Sequence, residues 1–189
     1  MDVQAGRFSV NTDRLICDKL LEMMETTPFY EVKVTQLVKH AGIRRSTFYA
    51  YFDSIYDVLQ KIEDEFIDGF LKEEVVQRRV EEDQLIEMFV YMRENMHTFK
   101  MLCGPNGDPS FTARLANRSK RISKRIVQSS NSPAPSWQQG FIQEFLMGGR
   151  IYGFLWWAEH ENEVSIKDIA LLFNRVFTAA YDTLFEKPE

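Results

Sequence analysis

From Val34 to Phe52 the chain reads VTQLVKHAGIRRSTFYAYF, and no other stretch restricts the possible folds as tightly. Val34, Leu37, Val38 and Ala41 recur at the spacing of one buried helix face, which predicts a short helix. Gly42 follows at once, where a chain leaving a helix commonly needs a positive φ. Ile43 returns to the core, and a second short helix can carry Arg45 to Tyr51. Two helices joined by a tight glycine-containing turn make a helix-turn-helix, a motif whose second helix lies in the major groove of DNA. On this reading Val34, Leu37, Val38, Ile43, Phe48 and Phe52 are buried seats, and the remaining side chains face outward.

Charge points the same way. Between Val32 and Phe52 stand four basic side chains, Lys33, Lys39, Arg44 and Arg45, and no acid. The whole chain has a formal net charge of -5, so contact with nucleic acid has to come from this local patch and not from the overall field. A length of 189 residues suffices for a sizeable core, as one domain or two small ones. Cys17 and Cys103 are far apart and lack metal-ligand spacing, which reads as two reduced, mostly buried thiols in a cytoplasmic protein. The opening MDVQAGRFSV has no apolar signal-peptide core, and the most apolar run, Gly148 to Ala158, is too short to span a bilayer and carries Arg150.

Helical periodicity extends over nearly the whole chain. After a loose arm to Val10, a first helix is predicted from the cap residues Asn11, Thr12 and Asp13 to about Glu25, with Phe29 and Tyr30 as core aromatics in the turn that follows. Beyond the motif, a long helix is predicted from about Tyr56 into the Val75–Val80 region, with an acidic face that includes Glu63, Asp64, Glu65, Asp68, Glu73 and Glu74 and reads as solvated. The next runs from about Glu82 to Cys103 and ends at the loop Gly104-Pro105-Asn106-Gly107-Asp108-Pro109, where Asp108 can cap a following helix. That helix, Ser110 to about Gln128, is basic on one side through Arg114, Arg118, Lys120, Arg121, Lys124 and Arg125. Ser129 to Pro135 is a second loop; helices from about Ser136 to Glu159 and from about Ser165 to Phe185 complete the chain. No alternating strand pattern lies between turn signals, so the fold class is all-α with about nine helices.

Thr47-Phe48-Tyr49-Ala50-Tyr51-Phe52, placed after Ala41-Gly42-Ile43, resembles the recognition-helix signature of the TetR family of transcriptional regulators. The order of elements fits: an amphipathic helix, a helix-turn-helix, a long linking helix and a helical C-terminal half. The 102–109 loop and the glycine- and tryptophan-rich late helix also resemble a C-terminal type common in such regulators from Gram-positive bacteria. The resemblance implies a DNA-binding domain over residues 1–55 and a dimerisation and ligand-binding helical domain over 56–189. It also implies a homodimer through the last two helices, on a double-stranded palindromic operator. Carried over by position, the DNA-facing residues are Lys33, Thr35, Arg44, Arg45, Ser46, Thr47, Tyr49 and Tyr51. Arg suits bidentate reading of guanine, hydroxyls bond bases or phosphates, and Tyr and Lys suit phosphates. Two positions depart from the family pattern: Arg44 stands where a small polar helix cap is usual, and Ile55, followed by Tyr56, stands where a phosphate-binding Lys is usual.

For the C-terminal half the resemblance implies a response to a small apolar or aromatic effector, with repression as the family default. Candidate lining residues are Phe66, Phe70, Met88, Phe89, Met92, Phe99, Arg150, Tyr152 and Trp156, an aromatic and Met-rich set that is equally the composition of a packed core. Arg150 is the polar candidate, as a charge within an apolar helix, with pairing to an acid such as Glu144 as the plainer reading. Two other functions compete: a DNA-binding regulator or activator controlled by a protein partner at the basic helix, and a metal or redox bundle that does not bind DNA. Glu94 and His97 have the Glu-x-x-His spacing of di-iron bundles, but neither His40 nor His160 has a Glu three residues before it. No phosphate loop, catalytic triad or zinc spacing occurs, so the sequence points to no enzyme, cofactor or metal.

Overall fold

The computed structural model describes residues 5–71, 81–129 and 134–184, with side chains from Thr12 to Leu71, Glu81 to Arg121 and Ala134 to Leu184. Within these residues the chain forms nine α-helices, one 3-10 turn and no strand. The helices are α1 Ala5–Met24, α2 Val34–His40, α3 Arg45–Tyr49, α4 Ile55–Phe70, α5 Glu82–Glu94, α6 Met96–Cys103, α7 Phe111–Ser129, α8 Ser136–Glu159 and α9 Ile166–Asp182, with the 3-10 turn at Phe29–Glu31. Contacts divide the chain into two compact units, Met1–Ile67 with His97–Phe111, and Asp68–Met96 with Thr112–Glu189.

In the first unit α1 packs on α2, and α2 on α3. The stripe of α1 is buried at Ile16, Leu20, Leu21 and Met24. The helix begins earlier than the cap chemistry predicts: residues 5–10 are helical, because neither proline nor a turn cluster stops the chain there, and Asn11-Thr12-Asp13 lies inside the helix. Phe29 is buried as predicted, but Tyr30 is 60% exposed: a three-residue 3-10 turn directs neighbouring side chains to different sides.

The predicted helix from Glu82 to Cys103 is broken at Asn95 into α5 and α6. The Asn95 amide nitrogen and its side-chain Nδ2 both bond the Tyr91 carbonyl, at 3.0 and 2.8 Å, a local competition that Asn favours over a continuing helix. The break stands at the border of the two units. From there α6 and the 104–110 loop belong with the first unit. Phe99 stacks on Phe66 at 5.6 Å, and Phe111 meets Phe66 edge-on at 6.0 Å. In the loop, the Asn106 carbonyl accepts from the Phe29 amide at 2.9 Å, and its Nδ2 donates to the Met24 carbonyl at 2.8 Å. Asp108 accepts from the Ser110 amide and hydroxyl, both at 2.8 Å, and α7 starts at Phe111.

One acid of the α4 face is misplaced by the sequence reading. Glu63 is only 2% exposed, since it lies four residues after Leu59 and three before Phe66, on the buried stripe. Asp64, Glu65 and Asp68 are exposed, whereas Glu73, Glu74 and the predicted continuation of the helix into 75–80 lie outside the described residues.

In the second unit α9 packs on α5 and on α8. Phe89 is the hub, within 5.4 Å of the rings of Phe154, Trp157 and Phe173. Ser165 caps α9 by accepting from the Asp168 amide at 3.1 Å. A further buried cluster joins Ala134, Leu146, Phe177, Tyr181 and Leu184.

Candidate functional site

The head formed by α2 and α3 arises because a short apolar stripe on each helix finds a common core. Leu37 and Val38 of α2 are buried, as are Phe48 of α3 and Phe52 just after it, while Val34 and Ile43 are half-buried. Phe48 and Phe52 pack at 6.0 Å. Gly42 adopts φ +65, the left-handed conformation that lets α2 end abruptly, and the Ile43 amide reaches back to the Val38 carbonyl at 3.0 Å. Helix α3 ends at Tyr49, two residues before the predicted limit, and continues as a turn through Ala50 and Tyr51.

Arg44 occupies the N-cap of α3 in extended conformation, with no side-chain cap bond, and the helix starts at Arg45. The guanidinium is therefore left for other contacts. Gln36 Oε1 accepts from the Lys33 amide at 2.9 Å and closes the start of α2, leaving the Lys33 ammonium outward. Lys33, Thr35, Arg44, Arg45, Ser46, Tyr49 and Tyr51 are all exposed; Thr47 is half-buried. Arg45 and Tyr49 form an ordered pair: Nη2 donates to the phenol oxygen at 3.1 Å, and Cζ lies 5.4 Å from the ring centroid. Tyr49 is itself supported edge-on by buried Phe48 at 5.4 Å.

Two histidines tie the unit at the end of α1. His40 Nε2 lies 3.0 Å from Glu22, and His97 Nε2 lies 2.9 Å from Glu25. Lys19, then His40, hold the Glu22 carboxyl below its usual pKa. His97 thus pairs across to Glu25, and no group of three or more His, Cys, Asp or Glu positioned to hold a metal occurs among the described residues. At the expected phosphate-contact position, Ile55 is buried, and exposed Tyr56 rests edge-on against Phe29 at 5.3 Å.

The candidate effector residues fall in both compact units. Phe66 and Phe99 are buried in the first unit; Phe70, Met88, Phe89 and Met92 are buried in the second. Tyr152 and Trp156 are exposed on α8, and Trp156 stacks on His160 at 4.1 Å. Arg150 is buried, and Glu144 pairs with Lys120 and not with Arg150. Arg150 Nη1 donates to Ser119 Oγ at 3.4 Å, its guanidinium lies 4.8 Å from the Phe177 ring centroid, and it bonds Tyr181. Sequence reading gave no sign of Ser119 and Tyr181, because they come from two other helices with no fixed spacing from Arg150. The basic side of α7 is partly engaged: Arg118 pairs with Asp68 at 3.1 Å and Lys120 with Glu144, while the side chains of Lys124 and Arg125 lie outside the described residues.

The outer faces of α8 and α9 carry Phe141, Phe145, Tyr152, Trp156, Leu172 and Val176, all exposed. Between the two helices runs an apolar groove of about 220 Å³, bordered by Phe145, Gly149, Leu172, Val176 and Phe177. No described helix is long and apolar enough to cross a membrane.

A family described as a transcriptional regulator C-terminal region matches residues 81–179, just over half of the chain. No curated protein matches by sequence. Among solved structures, the chain resembles a TetR transcriptional regulator from Streptococcus agalactiae 2603V, with TM-score 0.64, 18% identity, and 92% of this chain and 97% of that one covered. It also resembles the dihydroxyacetone kinase operon activator DhaS, with TM-score 0.61, 14% identity, and coverage of 94% and 99%. A third is a TetR-family regulator from Streptomyces coelicolor, with TM-score 0.59, 17% identity, and coverage of 92% and 82%. At these identities the likeness is one of fold.

Proposed function

The chain belongs to the TetR family of transcriptional regulators, and on that premise we propose that it binds a palindromic DNA operator as a homodimer and releases it in response to a small effector. The observation that carries the reading is the two-sided head. Its inner side is the buried set Leu37, Val38, Phe48 and Phe52; its outer side exposes Lys33, Thr35, Arg44, Arg45, Ser46, Tyr49 and Tyr51, with no acid between Val32 and Phe52. On this reading Arg45, Ser46 and Thr47 read base edges, and Lys33, Tyr49 and Tyr51 hold phosphates. Arg44 replaces a side-chain cap with an exposed cation at the same helix end.

Dimerisation through α8 and α9 is supported by the exposed apolar face, whose aromatic and aliphatic side chains a second copy would cover. A Cβ at Gly148 would meet nothing within 4 Å, and one at Gly149 only the Phe177 ring, so a facing backbone can come close. Two-fold symmetry then places two α3 helices on half-sites about one helical turn apart. Repression is the family default, and a ligand that prefers the arrangement of the dimer that does not fit DNA lowers DNA affinity in proportion to that preference.

The test is selection of bound sequences from random double-stranded DNA. A two-fold symmetric motif is expected, together with loss of enrichment for Arg45→Ala; enrichment of no motif would overturn the assignment.

A further inference from the structure

A guanidinium in a protein interior is normally matched by a carboxylate, because an uncompensated buried charge costs several kcal/mol. Arg150 breaks that pattern. It is 7% exposed in the middle of α8, and among the described residues no carboxylate reaches it. Glu144 of the same helix is six residues away, on a different face, and pairs with Lys120. What surrounds the guanidinium is a set of neutral groups from three helices. Ser119 of α7, 2% exposed, accepts from Nη1 at 3.4 Å, which is long for this bond; Tyr181 of α9 offers its hydroxyl; the ring of Phe177 lies under the charge at 4.8 Å. Leu146 and Leu184 complete an apolar wall. Burial lowers the guanidinium pKa, but an Arg stays charged at neutral pH.

The composition of this cluster is selective. Among the described residues, the guanidinium's five N–H donors meet two hydroxyl oxygens and no carboxylate. A hydroxyl can donate to an anion as readily as it accepts from Arg, and the surrounding Phe and Leu side chains favour an apolar body behind an anionic head. A neutral aromatic effector would leave the charge uncompensated, whereas an acid neutralises it.

We propose that Arg150, Ser119 and Tyr181 form the receptor for the anionic head of a small organic acid, the effector class of this regulator. This deepens the effector reading given above and rests on it. Because the three residues come from α7, α8 and α9, an anion held by all of them would draw together the helices of the second unit. That is the differential interaction a ligand needs in order to change the state of the α8–α9 face.

The test is thermal melting of the full-length protein with benzoate, acetate or inorganic phosphate at constant ionic strength, with benzamide as the uncharged counterpart of benzoate. Saturable stabilisation by an anion, with none by benzamide, is expected, and Arg150→Met should abolish it. Tyr181→Phe and Ser119→Ala keep the buried volume and the charge; each should weaken the apparent Kd several-fold, which keeps the test decisive if Arg150→Met does not fold. No saturable stabilisation by any of the three anions, or an unchanged Kd in all variants, would overturn the site. Operator affinity is then measured with and without the stabilising anion. A bound anion that leaves DNA affinity unchanged supports the receptor and sinks effector control, whereas absent anion binding sinks the receptor and leaves DNA recognition standing.

Discussion

The Arg45–Tyr49 pair concentrates several roles on two side chains. The phenol accepts from the guanidinium, the ring lies within cation–π reach of it, and Phe48 supports the ring from below. Tyr49→Phe removes only the hydroxyl. Operator binding is expected to weaken by about 1 kcal/mol, roughly five-fold, with the melting temperature unchanged. Anisotropy titrations at two salt concentrations check this, and affinities equal to the parent's at both would show that the hydroxyl contacts no phosphate. The thiols are the opposite case, residues held out of chemistry. Burial, then the Glu65 charge, pushes Cys17 up to about 12, and burial alone pushes Cys103 up to about 12. A folded pKa above the unfolded one, 9.0, favours folding of the protonated form, so this stabilisation is full below about pH 9 and is lost as pH rises toward about 12. Iodoacetamide at pH 8 is expected to label the native protein far more slowly than the denatured one, and the melting temperature should fall across that alkaline window. The sequence exposed the head well at this scale: Phe48, Phe52 and Gly42 have strong local reasons for their positions. It misjudged Tyr30 and Glu63, where the direction of a side chain depends on a 3-10 turn or on a stripe wider than the obvious apolar residues.

Among elements, the 104–110 loop shows how a short connection is fixed. Gly107 is buried, and a Cβ there would lie 2.4 Å from the Leu102 carbonyl oxygen and 2.6 Å from that of Met101. Both are backbone atoms at the end of α6, so they cannot yield as a side-chain tip would. Gly107→Ala is expected to cost about 2 kcal/mol or more, a loss seen directly in chemical denaturation. Gly140→Ala is the contrasting control: it lies in α8 with open space around it, and should be neutral or stabilising by up to about 1 kcal/mol. Helix existence and order were readable because apolar spacing persists over many residues; α8 even keeps its predicted limits, Ser136 and Glu159. The break at Asn95 was not, because a single Asn in a good helical pattern is ambiguous until its side chain has a carbonyl to bind. Nor could spacing tell a pocket lining from a core, and Met88, Phe89 and Met92 of α5 prove to be buried while Tyr91 is half-buried.

For the whole molecule, the exposed apolar face of α8 and α9 makes a quantitative demand. Leu172→Glu places a charge on that face in each copy, and a charge buried at a closed interface costs several kcal/mol. Light scattering coupled to size exclusion is expected to show a dimer for the parent chain and a monomer for the variant. Operator affinity should fall by about 100-fold or more, because the two half-sites are no longer linked. A monomeric parent chain would instead refute the dimer.

The head is not contiguous in the chain. Residues 97–111 belong with it by contact although they lie within the stretch that matches the family's C-terminal region. Asn106 bonds both the last turn of α1 and the start of the 3-10 turn, and Phe99 covers Phe66. A hybrid regulator made by splicing this N-terminal segment onto another family member would therefore inherit a foreign clasp, with its own loop pressing on Met24 and Phe29. Exchanging operator specificity between relatives requires a two-piece graft, in which the 97–111 segment travels with the helix-turn-helix it closes.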